Sequence, residues 1–370
     1  MGSQWTAWRV AAKAPESEVI TSFHLVPEDH GDWRAFKPGQ FLTLRLGAED
    51  EQALTQPLIR YYSLSGSPLQ QDAYRISVKR EGAGSIHLHD RVQVGDVLQV
   101  QGPRGAFVLD QASHRPVVLL SGGVGLTPMV SMMHALAPTG RTAFFIHACE
   151  SAGVHAFRQE VNALVQGRPH LHAHYVYRQA RPEDLANGHC HSAGLISRAL
   201  LQSLLPLDDY EAYLCGPPGF MQANYALLRE LGLAKERIAY EFFGPATVLE
   251  DAAETVAAPP SAMSVTAAMQ AEAAPAEAPS ETATGGQPVV RFATSALERA
   301  WTSDDKNLLD FAEACGLNPS FSCRAGVCGS CSTRLLSGQV RYTEEPLEPP
   351  AEGHVLLCCA QPCGPVTLDL

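Results

Sequence analysis

Short β-type runs punctuated by turn residues fill the first third of the chain. Val19-Ile-Thr-Ser-Phe23-His-Leu25, Gln40-Phe-Leu-Thr-Leu-Arg-Leu46, Arg60-Tyr-Tyr-Ser-Leu64, Tyr74-Arg-Ile-Ser-Val78-Lys and Asp96-Val-Leu-Gln-Val100 read as strands. Turns are predicted at Lys37-Pro-Gly39 and Gln101-Gly-Pro103. Many short strands at regular spacing predict an antiparallel barrel. The rhythm changes from about residue 114. Pro116-Val-Val-Leu-Leu120 is an unbroken apolar run, the type of strand buried on both faces. It leads into Ser121-Gly-Gly-Val-Gly125 and a helix predicted near Thr127-Pro128. Strand-like and helix-like segments then alternate through Ala143-Phe-Phe-Ile146, Glu160 to Leu164, His174-Tyr-Val-Tyr177 and Glu211-Ala-Tyr-Leu214. That pattern predicts a parallel sheet with crossover helices.

Composition divides the remainder. Residues 249–287 are built from Ala, Pro, Glu, Ser and Thr with no aromatic side chain. Such a stretch buries too little apolar surface to offset its ordering entropy, so a flexible linker is expected, roughly 35 Å end to end as a coil. The predicted organisation is therefore a barrel domain over 1–110, an α/β domain over 111–248, a linker over 249–287 and a small domain over 288–370. The net charge of −12 splits as −2 over 1–248, −6 over 249–287 and −4 over 288–370. No basic cluster is present to meet phosphates, so nucleic acid is not an expected partner. No apolar run approaches the ~20 residues of a membrane span, and the N-terminal residues lack the apolar core of a secretory signal. A cytoplasmic protein is expected.

Chemistry enters with the cysteines. Cys323, Cys328 and Cys331 are spaced C-x4-C-x2-C, and Cys358 precedes Ala360-Gln-Pro362. This is the spacing with which plant-type ferredoxins hold a [2Fe–2S] cluster. Ala325, Gly326, Gly329 and Ser330 supply the small residues that let a tight loop wrap an inorganic core and turn N–H groups toward it. Zinc prefers paired short spacings, and disulfides suit secreted chains. The histidines between His87 and His191 match no metal-ligand spacing.

Arg60-x-Tyr62-Ser63, Gly84-Ser85, Gly122-Gly-x-Gly125-x-Thr127-Pro128, Cys215-Gly-Pro217 and Glu241-x-Phe243-Gly-Pro245 occur in the order of the ferredoxin–NADP⁺ reductase superfamily. Residues 5–248 resemble the reductase half of bacterial flavohaemoglobins, a likeness strengthened by Trp8-Arg-Val10, Phe36-Lys-Pro-Gly-Gln40, Val78-Lys79-Arg-Glu81 and His155-Ala-Phe157. With the C-terminal cysteines, the layout is similar to reductase components of Rieske oxygenases and to hybrid-cluster protein reductases. The resemblance implies an antiparallel β-barrel flavin domain, an α/β parallel-sheet nucleotide domain and a β-grasp ferredoxin domain.

It also implies roles that the residue chemistry suits. Arg60 offers a bidentate donor for a flavin phosphate, Tyr62 a flat face for the flavin ring, and Ser63 a hydroxyl near its reactive edge. Gly84 and Ser85 open a helix where free N–H groups collect anionic oxygens. Lys79 belongs to the same flavin-binding set. Gly122, Gly123, Gly125 and Thr127 form the glycine loop at which a dinucleotide backbone can approach. Cys215, Gly216 and Pro217 lie, by the resemblance, beside the nicotinamide, with Glu241 near them and Phe243 covering the flavin. Ser63, Cys215 and Glu241 are the expected catalytic residues. Cys323, Cys328, Cys331 and Cys358 are the expected cluster ligands; the family pattern selects Cys358 over Cys359, which on a strand would face away.

The expected activity is that of an NAD(P)H-dependent reductase that passes electrons from NADH through FAD and the [2Fe–2S] centre to a protein acceptor, a terminal oxygenase or another redox metalloprotein. FMN is the alternative flavin. NADPH is the alternative nucleotide, which Arg158 and Arg178 keep open. A self-contained enzyme with a small-molecule acceptor, or a redox-sensing flavoprotein, would share the same parts.

Overall fold

The structure is a computed structural model that describes residues 5–47, 58–243, 288–302, 305–317, 319–321, 326, 329–343, 346 and 349–370. The expected linker over 249–287 and the expected ligands Cys323 and Cys328 lie outside the described residues.

The N-terminal unit holds strands β1 (Thr6–Pro15), β2 (Ile20–Pro27), β3 (Phe41–Leu46), β4 (Leu58–Ser63), β5 (Tyr74–Lys79) and β6 (Val97–Arg104), with helix α1 (Ala83–Asp90) between the last two. All pairings are antiparallel, in the order β4-β3-β6-β1-β2-β5. The two outer strands meet through a bridge between Leu64 and Ile76, which closes the sheet into a barrel. Trp8, Phe23, Leu25, Leu42, Leu44 and Val78 fill the interior, and Leu88 packs α1 against it. Each such fully buried side chain contributes about 1.5–3 kcal/mol. Gln101-Gly-Pro103 is not the expected turn. It lies within β6, where Gly102 takes φ +127° and the register opposite Phe41 and Thr43 shifts. A bulge accommodates both the glycine and a proline that cannot donate to the ladder.

The second unit alternates β7 (Val117–Gly122), α2 (Leu126–Leu136), β8 (Ala143–Cys149), α3 (Arg158–Val165), β9 (Leu171–Tyr177), α4 (Pro182–Ala186), β10 (Ser192–Ala193), α5 (Arg198–Leu204), β11 (Glu211–Cys215), α6 (Pro218–Glu230) and β12 (Ile238–Glu241). All six strands are parallel, in the order β10-β9-β8-β7-β11-β12. The apolar run of β7 is explained by its position. Val117 and Leu119 enter the core beneath α2, while Val118 and Leu120 enter the core beneath α6. Strand order reverses between β7 and β11, and ligands of open α/β sheets bind in the crevice at the carboxyl ends of such a pair.

The C-terminal unit is a mixed sheet, β14-β13-β19-β15-β17, built from β13 (Val289–Phe292), β14 (Leu297–Ala300), β15 (Ser332–Ser337), β17 (His354–Leu356) and β19 (Val366–Leu368). A separate pair, β16 (Val340–Tyr342) and β18 (Ala360–Pro362), lies beside it. The sheet grasps helix α7 (Leu308–Ala314), whose Leu308, Phe311 and Ala312 share one core with Phe292, Val355 and Leu368. Tyr240 of β12 packs against this core and against that of the nucleotide unit.

Candidate active site

The flavin-type residues converge where β4 meets α1. Arg60 is exposed on β4, and Gly84 in the first turn of α1 lies directly beneath it. A methyl group on Gly84 would stand 2.8 Å from Arg60 Cγ, so only glycine leaves that side chain in place. The helix start is held by Ser85. Its Oγ accepts from the Glu81 and Gly82 N–H groups at 3.0 and 2.9 Å, and donates to the Gly82 carbonyl at 2.9 Å. An exposed guanidinium over a helix N-terminus is a donor set that suits a pyrophosphate. Tyr62 packs against the barrel core. Burial pushes its hydroxyl up to about 12, against the opposing pull of Arg60. Ser63 is buried at the end of β4, and Lys79 pairs with Glu81 at 2.5 Å.

The glycine loop and the Cys215 loop meet at the strand reversal. A methyl group on Gly125 would overlap the Cys215 carbonyl. One on Gly122 would stand 2.8 Å from the Phe220 ring, and one on Gly216 would stand 2.6 Å from it. These three glycines therefore serve loop-to-loop contact. Gly123 differs: it has φ +54° and open space where a side chain would point, which leaves its backbone accessible to a ligand. The Thr127 hydroxyl donates to the Val124 carbonyl at 3.1 Å and ties the loop to the start of α2. Cys215 is fully buried and lies opposite Glu241 in the parallel register of β11 and β12. Burial and the neighbouring carboxylate push its thiol far up, so it is neutral at physiological pH. Pro217 is exposed at the head of α6, and Phe243 follows β12 at 37% exposure.

Cys331 and Cys358 are brought together in the third unit, and both are buried. The Gly326 N–H points at Cys358 Sγ at 3.3 Å, the donor a cluster thiolate requires. Gly326 and Gly329 take φ +68° and +69°, as a tight loop around a small core demands. This donor chemistry fits an iron–sulfur centre. The expected strand across Cys358 and Cys359 is not found. β17 ends at Leu356, and Leu357–Cys359 form a 3₁₀ turn in which Ala360 N–H bonds the Leu357 carbonyl. Neighbours on such a turn are about 120° apart rather than opposed. Cys359 is accordingly not turned away: its Sγ lies 3.0 Å from where a Gly326 side chain would begin. The phenol of Tyr342 is raised by burial and by Cys359, Cys331 and Cys358 around it.

Two residues escaped the sequence reading. Glu150 stands just beyond the tip of β8 and accepts from Arg178 at 3.3 Å and Gln179 at 3.2 Å. An acid following the second parallel strand is the usual partner of a ribose 2′-hydroxyl, and its place in the strand–helix–strand order was a usable signal. Arg75 joins the barrel to the nucleotide unit, and no pattern in the chain marked it.

Three family models match the chain: Oxidoreductase FAD-binding domain over 9–109, Oxidoreductase NAD-binding domain over 119–225, and 2Fe-2S iron-sulfur cluster binding domain over 298–363. A flavohemoprotein of Bordetella pertussis is 44% identical over 250 residues, 65% of this chain and 61% of that protein. A flavohemoprotein of Deinococcus radiodurans is 46% identical over 242 residues, 64% and 59% respectively. The chain thus spans about three fifths of the length of these relatives. Among solved structures, the flavohem-like FAD/NAD binding domain of nitric oxide dioxygenase from Vibrio cholerae O1 biovar El Tor is 38% identical, with a TM-score of 0.58. That match covers 65% of this chain and 99% of that one. Phthalate dioxygenase reductase shares the fold at 22% identity and a TM-score of 0.54, over 99% of this chain and 98% of its own.

Proposed function

This chain belongs to the ferredoxin–NADP⁺ reductase superfamily and carries a C-terminal 2Fe–2S domain, and from that premise we propose that it takes electrons from NADH and hands them singly to a separate redox protein. That it is an NAD(P)H-dependent electron-transfer oxidoreductase follows from its three domains. The observation that carries the finer reading is the union on one chain of an Arg60–Gly84 anion cradle, a Gly123 loop at a strand reversal, and two buried thiols, Cys331 and Cys358, the latter under a Gly326 N–H.

Bound FAD supplies the conversion of a hydride into single electrons, which neither a nicotinamide nor an iron–sulfur centre performs alone. The protein's own part is to hold and orient. Arg60 and the first turn of α1 would bind the flavin pyrophosphate, with Lys79 beside them. Tyr62 would face the ring and Ser63 its reacting edge. Gly123 would admit the dinucleotide, and the neutral Cys215 thiol would wall the nicotinamide without competing as a nucleophile. The carboxylate of Glu241 favours the positive charge that the nicotinamide ring gains on oxidation. Phe243, partly exposed just beyond β12, would yield to an incoming ring. Cys323, Cys328, Cys331 and Cys358 would hold the cluster.

NADH is preferred to NADPH, because Glu150 offers an acceptor to a 2′-hydroxyl and repels a 2′-phosphate, and it engages the nearby Arg178. The acceptor is a terminal oxygenase or another redox metalloprotein. Phthalate dioxygenase reductase, described as moving electrons from pyridine nucleotides to [2Fe–2S], supports this layout through its matching fold. Anaerobic titration with NADH tests the proposal. Flavin absorbance should bleach and a reduced-cluster EPR signal should appear in the intact protein, with kcat/KM for NADH above that for NADPH. A flavin that bleaches without any cluster signal would sink the relay.

A further inference from the structure

Arg75 stands on β5 at the seam where the barrel closes. Its carbonyl accepts from the Ser65 N–H at 2.8 Å, and its guanidinium donates to the Ser65 carbonyl at 2.5 Å and the Ser65 hydroxyl at 3.2 Å. Ser65 lies two residues beyond Ser63 on the same strand end. The other face of the guanidinium fork leaves the barrel. Nη1 and Nη2 donate to the two oxygens of Glu160 at 2.7 Å each, a bidentate pair with side-chain exposures of 13% and 26%. Glu160 is in the first turn of α3, and its Oε1 also meets His134 Nε2 at 2.6 Å. His134 closes α2, the helix that begins at the glycine loop.

Beneath the guanidinium lies the Phe157 ring, 4.7 Å to its centre, on a residue held at φ +59°. A left-handed phenylalanine is strained and persists only where its surroundings impose it. Burial raises the Glu160 carboxyl, yet the bonds from His134 and Arg75 bring it down to about 2. Among the described residues, no other ion pair joins the barrel to the nucleotide unit.

We propose that Arg75 is a positioning residue that sets the distance and angle between the flavin strand β4 and the nucleotide crevice, and so the approach of nicotinamide to flavin. This rests on the reading that NADH reduces a flavin held at β4. A planar fork bonded on both sides transmits orientation as well as distance, which a lysine point charge cannot. Hydride transfer is the kind of step that a 1 Å misplacement slows steeply.

Rapid mixing of the full-length holoprotein with NADH and with C4-deuterated NADH, without oxygen, tests the clamp. Arg75→Lys keeps the charge and loses the fork; Glu160→Gln keeps the shape and loses the charge. Both should lower the limiting rate of flavin reduction about 10- to 100-fold, with a changed deuterium isotope effect. The NADH dissociation constant, flavin content and cluster absorbance should hold. Arg9→Gln, which breaks an exposed pair within the barrel, should leave the rate unaltered. A normal limiting rate in both variants, weaker NADH binding alone, or loss of flavin would each overturn the clamp. Wild-type flavin that NADH fails to reduce would instead overturn the electron-transfer reading on which it stands.

Discussion

At the scale of single residues, two substitutions separate recognition from folding. Gly84→Ala places a methyl group against Arg60 but also puts a better helix former into α1. Thermal stability should hold or rise, while flavin affinity, read by fluorescence recovery on release, falls roughly 10-fold as the charge-assisted bonds are lost. Unaltered affinity would remove Arg60 from the cradle. The adjacent cysteines are the second case. Because the Gly326 N–H serves Cys358, Cys358→Ser should lose iron, acid-labile sulfide and the visible spectrum, and Cys359→Ser should keep them. The reverse result would make Cys359 the ligand, which its nearness to Gly326 leaves sterically accessible. The residue chemistry of Arg60, Tyr62 and the cysteines was legible because it is local. That three of the glycines serve packing, and that the fourth has open space beside its backbone, became visible only when two distant loops met.

At the scale of elements, the parallel sheet carries a buried polar chain with a consequence for acid stability. His147 Nδ1 meets the Ser121 hydroxyl at 2.9 Å, His155 Nδ1 meets the Tyr177 hydroxyl at 2.7 Å, and the two rings stand 4.9 Å apart. Burial holds His147 down to about 4. Burial, then His147 and other nearby positive groups, brings His155 to about 2. Unfolded histidines titrate near 6.5. As pH falls below that value the unfolded chain gains protons that the folded chain refuses. Stability should therefore drop, by up to ~1.4 kcal/mol per pH unit for each histidine, until the folded values are reached. Glu160 acts lower: its contribution is complete above about pH 4.5 and fades toward pH 2. Urea unfolding at successive pH values from neutrality to about 5 should show this slope, and His155→Phe should flatten it. A flat wild-type profile would contradict the burial argument. The alternation of Val117 to Leu120 between two cores was readable from an unbroken apolar run. The 3₁₀ turn at Leu357–Cys359 was not, since a short apolar stretch ending in two cysteines reads equally well as strand.

At the scale of the whole molecule, net charge is the property expected to govern encounter with the proposed electron acceptor. The chain carries −12 overall, and −4 of it falls within 288–370. Cytochrome c, a basic acceptor, should be reduced more slowly as ionic strength rises through the range where the Debye length shrinks to about 10 Å. Ferricyanide, an anion, should respond in the opposite sense. Equal salt responses for the two would show that acceptors do not meet the acidic surface.

Residue types at short spacing were enough to establish the three chemistries and their order, because cluster ligands, glycine loops and flavin-type strands each need particular side chains close together in the chain. The sequence also determined the two sheet types, since burial on one face or two leaves its mark on hydrophobic periodicity. Long-range packing decided which loops touch across the strand reversal. It decided as well that the peptide around Cys358 turns rather than extends, and that Arg75 reaches Glu160 from 85 positions away. Contacts of that kind join residues whose own neighbours in the chain are ordinary, so no local pattern announces them, and only the folded geometry brings their charges and carbonyls within bonding distance.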